Sequence, residues 1–462
     1  MGCGTRYACL APCNAGAGEG EQGRVVPQLG FLHMRNDFRG IDMAGRWLAT
    51  CGLVLLCALA QVAQAQTTFV ASAARTDMVH DARRGIIYIA NGPQVRRYRI
   101  STKTFLPAFT LGAGSRAMGM DISADGSTLA VADDNHSASK VWIYKIDLNT
   151  LAKTRWLLPR EDYETGTYSV AFASDGAVLI SSRFGGSGWV PMRRLQRNGV
   201  MKWLAEVRQD SMLAASGDRK TIAFAESNIS SGSWGLYDVP TGGLVRREGY
   251  EDGTSSFNYE IATDGQGGQF AIPVYGGAKI YDADYQFITQ IGTYGSEPMG
   301  VAYHPVEPEI YFPWNESDEV KVYSAETFQY LRSIHVGQVF NTFSSGAFNS
   351  GRTRLSADGS LLMVGVPGGL RYVRMYAPLA ATDVQIQVQA DTRTAIQLKG
   401  SIGNHKPLSY SIYAAPRHGR AIVYGSRVSY TPAVGYIGPD QFTYKVRYGE
   451  AVATATVYIN IM

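Results

Sequence analysis

The chain has 462 residues and a formal charge of +4. Hydrophobic residues make up 45% and charged residues only 18%, which excludes a disordered chain and leaves ample apolar material for a core. No Lys/Arg cluster with interleaved aromatics occurs, which argues against nucleic acid as a partner.

In chain order, residues 1–42 resemble neither a targeting segment nor a domain, and Met34 or Met43 is a candidate true start. Residues 43–65 read as a secretory signal: Arg46, an apolar run from Leu48 to Leu59, then Ala63-Gln64-Ala65 as an A-x-A cleavage pattern. The run is too short to span a bilayer comfortably, and no transmembrane segment is expected in the mature chain. The five cysteines all precede the cleavage point, so no disulfide and no thiolate ligand is predicted after it. Cleavage removes five basic and four acidic residues and leaves +3. The expected location is periplasmic, secreted or cell-surface.

From residue 66 one unit recurs: an apolar strand, a tight turn, and a second apolar strand. Met118 to Asp134 shows it best, turning at Ser123-Ala124-Asp125-Gly126, where Asp-Gly supplies a hairpin turn. Copies begin at Met78, Met118, Tyr168, Ser211, Tyr259, Met299 and Thr353, roughly 40–53 residues apart, the period of a four-stranded propeller blade. Lys140 to Ile146 and Leu151 to Leu158 supply the outer strands of the second copy. The seventh copy ends near Tyr376 without a fourth strand, whereas Thr67 to Ser72 is a spare β-rich segment. The expectation is therefore a seven-bladed β-propeller over 66–379, closed by its own N-terminal strand.

Gly295-Ser296-Glu297-Pro298-Met299-Gly300-Val301-Ala302, His304-Pro305 and Ile310-Tyr311-Phe312 resemble the repeat of YVTN-type propellers of the lactonase-like superfamily. Tyr88-Ile89-Ala90-Asn91 resembles the tetrapeptide that names them, and the S-A-D-G turns resemble TolB-type repeats. The resemblance implies the propeller fold and leaves function open.

Residues 380–462 lose the blade period. Strand-like runs at 384–389, 395–399, 408–413, 420–424, 426–431, 441–447 and 452–460 predict a β-sandwich. Pro416-Arg417-His418-Gly419, Tyr430-Thr431-Pro432 and Gly438-Pro439-Asp440-Gln441-Phe442-Thr443-Tyr444 resemble bacterial Ig-like and cadherin-like domains. That resemblance implies a spacer or adhesive module of secreted and surface proteins. Asp440 is expected to cap the turn that precedes it. The segment 377–382 is read as a linker with little to fix its angle.

In a propeller, the loops entering each innermost strand and those joining the second and third strands share one face. Here they carry Asp133, Asp134, His136, Arg183, Glu226, Asn228, Glu297, Asn315 and Glu316 as candidate ligand-binding residues. Asp133-Asp134-Asn135-His136 is the best cluster for a cation or catalytic water, since it offers oxygen and imidazole together. Adjacent residues on a strand point to opposite sides, however, so not all four can serve one ion. No G-x-S-x-G elbow, H-E-x-x-H or phosphate loop is present, and no metal or cofactor is predicted. The expectation is a binding or surface-interaction protein whose mouth takes a small molecule, glycan or protein. The competing class is a lactonase-like hydrolase or metal-assisted lyase using the mouth carboxylates and His136.

Overall fold

The computed structural model describes residues 67–137, 140–229, 232–247, 257–340, 347–348 and 350–462; the signal segment 43–65 and the residues before it lie outside these. Among the described residues the structure is all-β. Seven four-stranded sheets are arranged as propeller blades, six of them built in chain order from an innermost strand outward and the seventh completed from the N-terminus. The innermost strands are Arg75–Asp81, Ala117–Ile122, Glu164–Phe172, Ser211–Ala215, Ala262–Thr263, Ala302–Tyr303 and Thr353–Leu355.

The hairpins form where the turn chemistry requires. At Ser123 the hydroxyl donates to Asp125 at 2.6 Å, and the same oxygen of Asp125 accepts the Ser127 N–H at 3.0 Å. Ser356 and Asp358 repeat this at blade seven. In blade four the left-handed position falls on Arg219 (φ 58°) instead of glycine, which turns its guanidinium onto both oxygens of Asp121 in blade two.

Apolar side chains of adjacent blades fill the space between the sheets. One such cluster joins Tyr168, Phe172, Ala223, Trp234, Phe270 and Ile272 across blades three to five. The ring closes through the N-terminal strand: Thr67–Ala71 pairs antiparallel with Gly369–Arg374, from Thr67 opposite Val373 to Ala71 opposite Gly369. It supplies the fourth strand of blade seven.

Around the axis, side chains reach the backbone of other blades. Asp77 accepts the Met120 N–H at 2.9 Å, Asp121 the Phe172 N–H at 2.7 Å, and Glu260 the N–H groups of Val301 and Thr353. Gly300 allows the closest backbone approach, since a Cβ there would lie 1.9 Å from the Gly351 carbonyl oxygen.

The C-terminal domain is a sandwich. One sheet runs Val384–Val388, Ala451–Ile461, Gly438–Tyr448 and Ser409–Ala414; the other runs Thr394–Gln397, Arg427–Pro432 and Gly419–Tyr424. Its core holds Tyr430, Phe442, Tyr444 and Val457. Asp440 does not cap its own turn. Instead it accepts the Arg417 and His418 N–H groups and the Tyr430 hydroxyl, tying the three motifs of the domain together.

The linker is also fixed, contrary to expectation. Leu379 N–H donates to Asp358 at 2.8 Å, and Gly403 N–H donates to the Ala377 carbonyl. Glu307 of blade six pairs with Lys406 at 2.9 Å and accepts the Tyr448 hydroxyl.

Candidate functional site

The innermost strands begin at one face, and the residues just before them meet the turns between second and third strands there. Ladder geometry thus assembles a mouth from residues far apart in sequence. Asp134 of blade two lies 2.7 Å from Arg183 of blade three, and Arg183 lies 3.3 Å from Asp210 of blade four. Arg116 reaches Asp134 at 3.5 Å, while Asn228 donates to Asp210 at 2.8 Å and to the Tyr168 hydroxyl at 3.0 Å. The row alternates in sign and is partly open: side-chain exposure is 56% for Arg116 and 31% for Arg183. Burial raises the pKa of Asp210, while Arg183 opposes the rise. Asn228 and Asp210 both hold positive φ, a backbone state Asn and Asp tolerate better than most.

Beneath this row the axis is filled. Phe348 packs edge-on against Tyr168 at 5.1 Å and under the Arg352 guanidinium at 4.9 Å. Arg352 bridges Asp77 at 3.0 Å and Glu260 at 2.5 Å, all three buried. Burial opposes ionisation of Asp77, but Arg352 and Arg354 outweigh it and hold its pKa far below the usual range.

The other expected residues fall differently. Asp133 is buried rather than ligand-facing; it accepts the Ser115 hydroxyl at 2.8 Å and the Arg116 N–H at 2.9 Å, and burial pushes its pKa up to about 6. Strand alternation places it opposite in direction to Asp134. Glu226 is likewise buried, against Arg208 and the Ser233 N–H, and burial raises its pKa. His136 pairs through its backbone with Val141, and its side chain lies outside the described residues.

Glu297 is 4% exposed, and one of its oxygens accepts the N–H groups of Gly276 (3.0 Å) and Gly295 (3.2 Å). Asn315 donates its N–H to the Glu297 carbonyl, and Glu316 holds φ 54° in the turn that follows. These three belong to the blade five and six side of the face, away from the Arg183 row.

Sequence reasoning missed Tyr168, Phe348, Tyr275 and Tyr294. Tyr275 and Tyr294, exposed by 46% and 72%, meet at 4.9 Å and 83° on the same face. Their signal was Tyr-Gly recurring in two loops that share that face. Among the described residues, no group of three or more His, Cys, Asp or Glu is placed to hold a metal.

Residues 376–460 match the model of the bacterial Ig domain family. The chain matches no curated protein sequence. Among solved structures it is similar to hydrazine synthase of Kuenenia stuttgartiensis, at 11% identity and TM-score 0.51 over 66% of this chain and 97% of that one. It is also similar to a chain of the mitotic checkpoint complex, at 12% identity and TM-score 0.52 over 67% and 95%. A third is the Cps50 (Swd1) β-propeller domain of Myceliophteria thermophila, at 10% identity and TM-score 0.50 over 67% and 99%. These likenesses establish a β-propeller followed by an Ig-like sandwich.

Proposed function

We propose that this is an exported interaction protein whose propeller mouth binds a protein partner, with the Ig-like domain as spacer or second contact. The observation that carries it is the row Arg116–Asp134–Arg183–Asp210–Asn228, drawn from three blades and partly open to solvent. Phe348 and Arg352 fill the axis below, which favours a ligand laid across the rim over an enclosed small molecule. The hydrolase or lyase alternative drew on the mouth carboxylates and His136; of these, Asp133 spends both oxygens on Ser115 and Arg116, and Glu226 is buried with one oxygen held by Arg208 and the Ser233 N–H.

Export is supported by the signal-like segment 43–65 and by the Ig-like domain, since bacterial Ig domains are typically extracellular. No helix among the described residues is long and apolar enough to cross a membrane. N-terminal sequencing of exported material should read from Gln66; finding residues 1–42 intact would refute the cleavage.

Peptide and glycan arrays probed with the full chain test the mouth. Peptide hits should weaken at least about tenfold for a combined Asp134→Ala, Arg183→Ala variant, consistent with loss of roughly 1.4 kcal/mol of contact. Unchanged binding by that variant, with the fold intact, would move the site elsewhere.

A further inference from the structure

On the side of the same face built by blades five and six, two loops present one tyrosine each. Tyr275 lies in the turn after Gln269–Val274, and Tyr294 in the loop entering blade six. Their rings stand at 83° with centroids 4.9 Å apart, making two walls of a corner. They are among the more exposed aromatic side chains of the chain, at 46% and 72%.

The corner has a built floor. Each tyrosine is followed by a glycine at positive φ, Gly276 at 97° and Gly295 at 74°. The N–H groups of both glycines converge on one oxygen of Glu297. A single buried carboxylate thereby holds both aromatic turns and places negative charge behind them. Gln290 braces the same turn by donating to the Gly276 carbonyl at 2.9 Å. Among the described residues no lysine, arginine or histidine pairs with Glu297, and no cation covers either ring.

Ring faces carry negative electrostatic potential, and orthogonal aromatic walls over a carboxylate suit a soft cation. A strongly hydrated metal ion would need more oxygen ligands than this corner provides. We infer that Tyr275, Tyr294 and Glu297 form a binding site for an alkylammonium group, such as a quaternary ammonium head or a lysine side chain. The inference goes beyond the mouth reading and needs only that this rim be accessible. Tyr259 lies close enough to feel both Glu297 and Tyr275, and burial is the main cause that holds its phenol neutral, up to about 12.

Ligand-observed NMR titrations of the full chain would use choline, its neutral isostere dimethylbutanol, and the acetylated amides of lysine and trimethyllysine. Choline should bind saturably and about tenfold more tightly than the isostere, the size of a partly desolvated cation–π contact. Tyr294→Leu should abolish that difference, and Tyr294→Phe should keep it, because the ring face and not the hydroxyl carries the interaction. Preference for trimethyllysine over lysine would assign a quaternary head; the reverse would assign an unmodified lysine of a partner. Equal binding of the isostere, absent binding of all the cations, or an unaffected Tyr294→Leu variant overturns the inference. The Arg183→Ala variant should bind choline normally. Array binding lost at Arg183 with no choline binding would leave the mouth reading standing while this one falls.

Discussion

Arg352 ties together buried side chains of distant blades near the axis of the ring. It pairs with Asp77 of blade one and Glu260 of blade five, both without solvent exposure to speak of. Arg352→Met would leave buried Glu260 without its ion-pair partner and Asp77 with Arg354 alone, so it should cost about 3–5 kcal/mol in denaturant unfolding. Arg183→Ala should change stability by less than about 1 kcal/mol, since its pairs are partly open to water.

Asp133 makes a different prediction. Its pKa rises from 3.8 to about 6 on folding, so between those values the folded chain holds a proton that the unfolded chain has released. Stability from this group therefore falls as pH rises from about 4 to about 6, by up to about 3 kcal/mol. Asp133→Asn keeps an acceptor for the Arg116 N–H and should remove that slope from the pH dependence of the melting temperature. The sequence marked Asp133 and Asp134 alike; strand alternation, which buries one and presents the other, separates them only once the register is known. Phe348 was illegible for another reason: it belongs to no strand, and only the closed ring shows that it fills the axis.

At the scale of elements, the repeat hairpins were legible because Asp-Gly and Ser-Ala-Asp-Gly turns are local chemistry. The closing strand Thr67–Ala71 was legible by subtraction, since blade seven lacked a fourth strand. A chain beginning at Arg75 loses the ladder from Thr67 to Ala71 and the burial of Val70, which is 1% exposed. At about 1 kcal/mol for each net hydrogen bond, a fall of several degrees in melting temperature is expected; equal melting would assign the strand no closing role. The outer strands were harder to read. Val245–Arg246 spans only two residues and both are exposed, so no apolar alternation announces it.

At the scale of the whole molecule, the reading of 377–382 as a loose linker failed because its anchors are not in the linker. Asp358, Glu307, Gly403 and Tyr448 reach it or bridge past it from both domains. Glu307→Ala removes the contacts to Lys406 and Tyr448 at once. Small-angle scattering should then report a broader range of interdomain distances, with the melting of each domain little changed; an unaltered profile would leave Asp358 as the sufficient anchor.

The closing strand also dates the molecule's assembly. Thr67 and its side-chain partner Arg371 are 304 residues apart. At roughly 5–20 residues per second, Thr67–Ala71 must wait about 15–60 s on the ribosome's schedule before its partner exists. Throughout that interval an unpaired apolar edge is on offer to any passing strand, including that of a sister chain. Slowing translation late in the message should therefore raise the yield of swapped oligomers, whereas slowing it before blade one should not.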